Sequence, residues 1–472
     1  MASNANAFLI LFALTFIFRY LRLIVNAIAY YAFKPRPLST KPAFSPSDVT
    51  VIIPTVFPHS DEFIRCLQGI LRCGAAQAIV VTANAKVSLI ERCCDEHDIT
   101  QVRVIGVKKL NKRVQMVAAL KKVNTPITVF ADDDAFWPTN YLEYLLASFE
   151  SEFVGAAGTR QRVRRDSSPN LWNFLGICYL ERRNFNTGAT NNIDGGISTL
   201  SGRTSAYRTK ILKNEMFFDY FLNDHWLGRH LNSDDDKCLT RWTYTLGWDI
   251  ALQFDEKAVL ETTLESNTKF LHQCVRWARA HWRGNLTVMM KGNYWYSRHL
   301  WTLYAIYIAQ FQTPALLMDG SLAWMLYQAV AGASKNVRTV VFVAFGIWVL
   351  FTKIVKLIPH LIRHPQDVRF LPASVLFSYL HGFINIYALC TMHVTAWGSK
   401  DLTTKNDASE QTPLLHDSQQ SEEQSKPDDA GPVEENDQIH QLSQSSAGRC
   451  RRYSLTVTQA GEGEDADGIA EE

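Results

Sequence analysis

Two apolar blocks bracket a mixed middle region, and this constrains the chain more than any other feature. Residues 7–33 form the first block, and apolar stretches recur between residues 300 and 396. About 20 apolar residues suffice for a helix to cross a bilayer. The first block exceeds a signal-peptide core and lacks a small-residue cleavage site, so residues 1–33 read as a retained membrane anchor. Arg19 and Arg22 interrupt it, and cations at such depth are costly unless they snorkel or face protein. Lys34, Arg36 and Lys41 follow the block, whereas its leading residues carry no charged side chain. Basic residues favour the cytosolic side, which places the middle region in the cytosol. Pro35, Pro37 and Pro42 stop the helix.

Beyond Arg298, residues 300–317, 321–333, 339–358 and 370–396 read as membrane segments of a C-terminal bundle over 300–397. The second is short enough to be re-entrant or part of a hairpin. An even number of crossings returns the chain to the cytosol. Residues 398–472 begin with Gly398-Ser399-Lys400 and become rich in Asp, Glu, Gln, Ser and Thr, a composition that cannot bury a core. The net charge of +2 implies no nucleic-acid partner. The nine cysteines are an odd number without a C-x-x-C pair, which suits reduced thiols rather than zinc or disulfides. Asn285-Leu286-Thr287 is a glycosylation sequon, expected to be unused in a cytosolic domain.

Residues 48–291 alternate β-branched runs with helical stretches. Residues 50–54, 78–82, 102–107 and 127–131 read as strands, and 62–73 and 113–122 as helices. That alternation predicts an α/β domain with a mostly parallel sheet, flanked by transmembrane α-helices.

Three motifs offer chemistry. The strand 127–131 runs into Asp132-Asp133-Asp134. Ligands of open α/β sheets gather at the carboxyl ends of strands, and three adjacent carboxylates suit Mg²⁺ or Mn²⁺ bridging to a diphosphate. A solvated acidic turn is the plainer alternative. A second triplet, Asp234-Asp235-Asp236, precedes a helical run, where carboxylates also serve as ordinary first-turn residues. In Gln273-Cys274-Val275-Arg276-Trp277, helical spacing puts Gln273, Arg276 and Trp277 on one face. Their amide, guanidinium and indole groups suit a phosphate and a sugar ring. The basic and aromatic residues as far as Arg298 equally suit a helix lying on a membrane surface.

In this order, and between membrane segments, the motifs resemble the family-two inverting glycosyltransferases of GT-A type, hyaluronan synthase-like polysaccharide synthases above all. The resemblance runs from Val51 to about Lys400 and takes in Asn111-Lys112-Arg113, Ser201-Gly202-Arg203-Thr204, Asp235-Asp236 and Trp397-Gly398-Ser399-Lys400. It implies a metal, Mn²⁺ or Mg²⁺, on Asp134 and Asp132. It implies donor contacts from Lys112, Arg113, Asp132, Arg276 and Trp397, and acceptor contacts from Gln273, Trp277, Ser201 and Gly202. Asp236 is the implied general base, with Asp235 as its alternate. A UDP-sugar donor, a glycan acceptor and membrane lipid are the implied partners, and secretion at the plasma membrane rather than an endomembrane is expected. A ceramide glucosyltransferase-like enzyme making one transfer to lipid, and an inactive membrane scaffold, are the other classes in play. One departure stands out: Val80-Val81-Thr82-Ala83-Asn84 lacks the family's uridine-contacting carboxylate, leaving Thr82 or Asn84 as substitutes.

A chain cut after Asp407 should keep membrane-bound activity, because the removed composition builds no core. Lost activity at unchanged expression would make the tail part of the catalytic unit.

Overall fold

The computed structural model describes residues 2–56, 61–165, 170–292 and 297–395. Trp397, expected to contact the donor, and the acidic tail lie outside them. Seven strands form the central sheet: β1 (Val49–Pro54), β2 (Gln77–Ala83), β3 (Val102–Val107), β4 (Ile127–Ala131), β5 (Val154–Thr159), β6 (Thr204–Arg208) and β7 (Asp249–Gln253). Their order is β7-β5-β6-β4-β1-β2-β3. All neighbours are parallel except β6, which runs antiparallel to both β4 and β5. The four predicted strands are β1 to β4. Their continuous Val/Ile runs mark strands covered on both faces, and β1 and β4 are buried almost throughout.

Nine helices matter for the site. They are α1 (Ala2–Tyr31), α2 (Asp61–Arg72), α3 (Lys112–Leu120), α4 (Leu171–Asp194), α5 (Asp235–Thr245), α6 (Lys269–Lys291), α7 (Ala315–Ala329), α8 (Lys335–Ile354) and α9 (Leu371–Cys390). Asn111 caps α3 by accepting from the Arg113 and Val114 amides. The cap fixes Lys112 at the first helical position, over the sheet's carboxyl edge.

Three helical stretches are long and apolar enough to cross a membrane: Ala5–Tyr31, Lys335–Arg363 and Pro365–Cys390. Leu14, Ile28 and Val340 are among the large side chains they leave outward, each more than 60 % exposed. Among the described residues, two C-terminal helical stretches rather than the expected four are long and apolar enough to cross. Residues 300–317 do not form one helix. A three-residue α-turn at Leu300–Thr302 passes into a π-turn at Leu303–Ile308 and a 3₁₀ turn at Ala309–Gln312, and Pro314 then starts α7. Helix α7 has 15 residues, a rise of about 22 Å, less than the ~30 Å hydrocarbon layer. The chain after α9 comes back to the transferase domain: the His393 and Thr395 carbonyls accept from Arg229 and Ser233.

Arg19 and Arg22 face protein. The Arg19 guanidinium meets Asp319 of α7 at 2.7 Å, and Arg22 donates to the Ala305 carbonyl. Asp319 also takes Lys353 at 3.2 Å and the hydroxyls of Tyr20 and Tyr379. One carboxylate thus joins α1, α7, α8 and α9. Replacing it with Asn should leave two buried cations without a counter-charge, at a cost of about 3–5 kcal/mol. The thermal midpoint of the detergent-solubilised protein reports this, and an unchanged midpoint in Asp319→Asn would remove the network's structural role.

Candidate active site

The two acidic triplets meet at Lys112. Its ammonium lies 2.8 Å from Asp132 Oδ1 and 3.1 Å from Asp235 Oδ2. Strand β4 delivers the first triplet at its carboxyl end, and the start of α5 delivers the second. Gly202 sits between them: a Cβ there would lie 3.4 Å from Lys112 Nζ, 3.5 Å from Asp236 Cβ and 3.7 Å from Asp235 Oδ2. The Asp132 amide donates to the Arg203 carbonyl at 2.9 Å, tying the Ser201–Thr204 segment to the same place.

Thr55, just past β1, donates to Asp133 at 2.7 Å, and Thr263 donates to Asp134 at 3.2 Å. Burial, then repulsion from Asp132 and Asp133, pushes the Asp134 carboxyl up to about 7. A divalent cation relieves that stress, and hard oxygen donors suit Mn²⁺ or Mg²⁺. The donor set therefore fits the expected metal.

The second triplet is split electrostatically. Burial raises the Asp235 carboxyl, but Lys112 outweighs it and holds the group below its usual range. Asp236 lacks that contact, and burial, then the Asp235 charge, pushes it up to about 6. Two adjacent carboxylates with separated proton affinities suit one fixed anion and one base.

Asp234 sets the turn, with a left-handed φ of 64° that is uncommon outside glycine. Arg283 of α6 holds it by a buried two-point contact, Nε to Oδ2 at 2.8 Å and Nη2 to Oδ1 at 3.0 Å. The same guanidinium donates to the Met392 and Val394 carbonyls. The Asp234 turn and the chain leaving α9 therefore share one clamp, which sequence reading missed. Its signal was present: an arginine on the same helix as Gln273-x-x-Arg276-Trp277, one to three turns on.

Helix α6 presents two different faces. Phe270, Cys274, Ala278 and Trp282 pack on Phe377, Ile384 and Ala388 of α9, while Gln273, Arg276 and Trp277 line the cavity. Burial lowers the Arg276 pKa, with Arg203 acting the same way against the pull of the acidic triplets. Arg203 lies over the Trp277 ring at 5.3 Å. The buried Gln273 Oε1 has no hydrogen-bond partner among the described residues.

Two expectations need correction, and the sequon expected to be unused is buried. Arg113 is 1 % exposed and donates to Phe221, Ser233 and Asp224, so it supports the Ser233–Asp236 turn rather than reaching a donor. Thr82 is fully buried, and neither it nor Asn84 lines the cavity; Glu62, at the start of α2, does line it. Asn285 is fully buried, bonded to His281, Gln310 and Lys237, so the folded sequon is inaccessible on either side of a membrane.

A parallel-dominated sheet with acidic side chains at the end of β4 and at the start of α5 is the architecture of a GT-A glycosyltransferase. The family model described as "Glycosyltransferase like family 2" matches residues 46–280. A type 2 glycosyltransferase of Gibberella zeae is 42 % identical over 409 residues, 86 % of this chain and 78 % of that protein. The chain belongs to the family 2 glycosyltransferases. The hyaluronan synthase of Streptococcus pyogenes is 23 % identical over 394 residues, 79 % of this chain and 87 % of that one. Among solved structures, the mannosyltransferase PcManGT of Pyrobaculum calidifontis, in complex with GDP-Man and Mn²⁺, shares the fold with a TM-score of 0.51 at 15 % identity. The match covers 82 % of this chain and all of that one.

If Asp236 is the base, kcat/KM at saturating metal should fall as pH drops through about 6, roughly tenfold per unit. An acid limb near 4, the ordinary carboxyl range, would remove it from that role. Arg283→Met should lower kcat at least ~10-fold while UDP affinity changes little, because the donor-side residues stay in place. Wild-type kcat would sink the clamp.

Proposed function

We propose that this protein is a membrane-embedded, metal-dependent inverting transferase that moves a sugar from a UDP-sugar in the cytosol to a growing glycan. The observation that carries this reading is the double contact of Lys112, which sets the two acidic triplets around one point. A cation on Asp134 and Asp132 would neutralise charge on the departing diphosphate. Lys112 and Arg276 add fixed positive charge for the same phosphates. Asp236 takes the proton of an acceptor hydroxyl. The freed oxygen attacks the anomeric carbon, and the bond to UDP breaks, inverting that centre. Gln273 and Trp277 receive the acceptor, the indole offering a flat apolar face.

Support for extension of a chain, rather than one transfer, comes from the cavity. It has a volume of about 2020 Å³ and runs from both triplets to side chains of α1, α8 and α9. The likeness to hyaluronan synthase agrees with this.

The purified protein, incubated with Mn²⁺ and a panel of UDP-sugars, should release UDP and yield polymer from at least one donor. A single sugar on lipid would replace the polymer reading. Asp134→Asn should abolish turnover and weaken metal-dependent donor binding. Asp236→Asn should abolish turnover yet still bind donor, since a base acts after binding. Near-wild-type turnover in either variant removes the role assigned to that residue.

A further inference from the structure

The cavity changes character along its length. At the transferase end, Asp and Glu side chains share the lining with Lys and Arg. At the membrane end, the lining includes Arg19, Arg22, Arg182, Lys353 and Lys356, and no carboxylate there reaches the surface among the described residues. Asp319, behind that wall, pairs with Arg19 and Lys353. Among the described residues, the other three cations have no carboxylate within ion-pair distance.

Among the described residues, the short-range contacts of each are to neutral groups. Arg22 donates to the Ala305 carbonyl at 3.3 Å. Arg182 meets a ring nitrogen of His381 at 3.2 Å and lies over the Tyr179 ring at 5.0 Å. Lys356 lies 5.4 Å over the Phe185 ring. These contacts converge on one region, because α4 carries Arg182 and Phe185 one turn apart and packs against α1 and the Val355–Leu357 turn. Half-buried cations among membrane helices are expensive without a counter-charge, and ionisable groups at such depth mark functional sites. Three together also repel one another.

We propose that the membrane end of the cavity is an anion site, in which Arg22, Arg182 and Lys356 hold a carboxylate or phosphate on the molecule that the transferase extends. The proposal rests on the transferase reading above and adds a substrate class to it. Two carriers share the chemistry, an acidic sugar unit and an anionic lipid headgroup. Arg22 and Arg182 offer forked donors that match either group, and Lys356 adds a compact charge.

The test uses the full-length protein in neutral detergent. One arm titrates a glucuronate-containing tetrasaccharide against a neutral chitotetraose. The other compares nanodiscs of phosphatidylcholine with nanodiscs containing phosphatidic acid. The thermal midpoint is read in both arms. At least one anionic probe should bind about tenfold tighter than its neutral counterpart and weaken in high salt. The arm that responds identifies the carrier. Lys356→Gln and Arg182→Gln should abolish the difference, while Lys356→Arg should keep it, which separates lost charge from lost packing. Equal response to charged and neutral probes in both arms, or a difference that survives both Gln variants, would overturn the site. UDP release is scored separately: an anion response without UDP release refutes the transferase and leaves this site standing, and UDP release without an anion response does the reverse.

Discussion

Lys112 is the cation on which the site depends. Three carboxylates at the end of β4 and three at the head of α5 could not share a small volume unaided. Burial works against the charged lysine, but Asp132 and Asp235 outweigh it and hold the proton firmly. The arrangement leaves Asp134 and Asp236 as the two stressed carboxyls, both raised by burial and by neighbouring charge. One suits a metal, the other a proton. The fold supplies this by simple means: an asparagine cap places Lys112 at the start of α3, with Gly202 lying beside its ammonium.

The transferase domain and the membrane helices are built as one object. Arg283 grips the Asp234 turn and the chain beyond α9 together. Asp319 draws α1, α7, α8 and α9 around a single buried carboxylate. Helix α6 packs one face on α9 and turns another into the cavity. One cavity extends from the acidic triplets to side chains of α1, α8 and α9.

Much of this was legible in the sequence, because strong periodicity and local chemistry carry over into structure. The strands 127–131 and 50–54 emerged within a residue of expectation, and all three site motifs converge on one cavity. Other features depend on distant partners that no local pattern records. Arg113 sits beside Lys112 in sequence, yet helical geometry turns it inward to Asp224, more than one hundred residues away. The burial of Asn285, bonded to Lys237 and Gln310, likewise depends on distant partners. The segment 300–317 is apolar enough for a crossing, but its helix breaks at a π-turn and at Pro314.

The central claim is that one lysine joins the donor side and the base side into a single site. Lys112→Met keeps most of the side-chain volume and removes the charge. The account predicts that this variant, folded and inserted like wild type, loses both metal-dependent UDP binding and turnover, as measured by equilibrium binding and UDP release on one preparation. Wild-type UDP affinity together with wild-type turnover would contradict it.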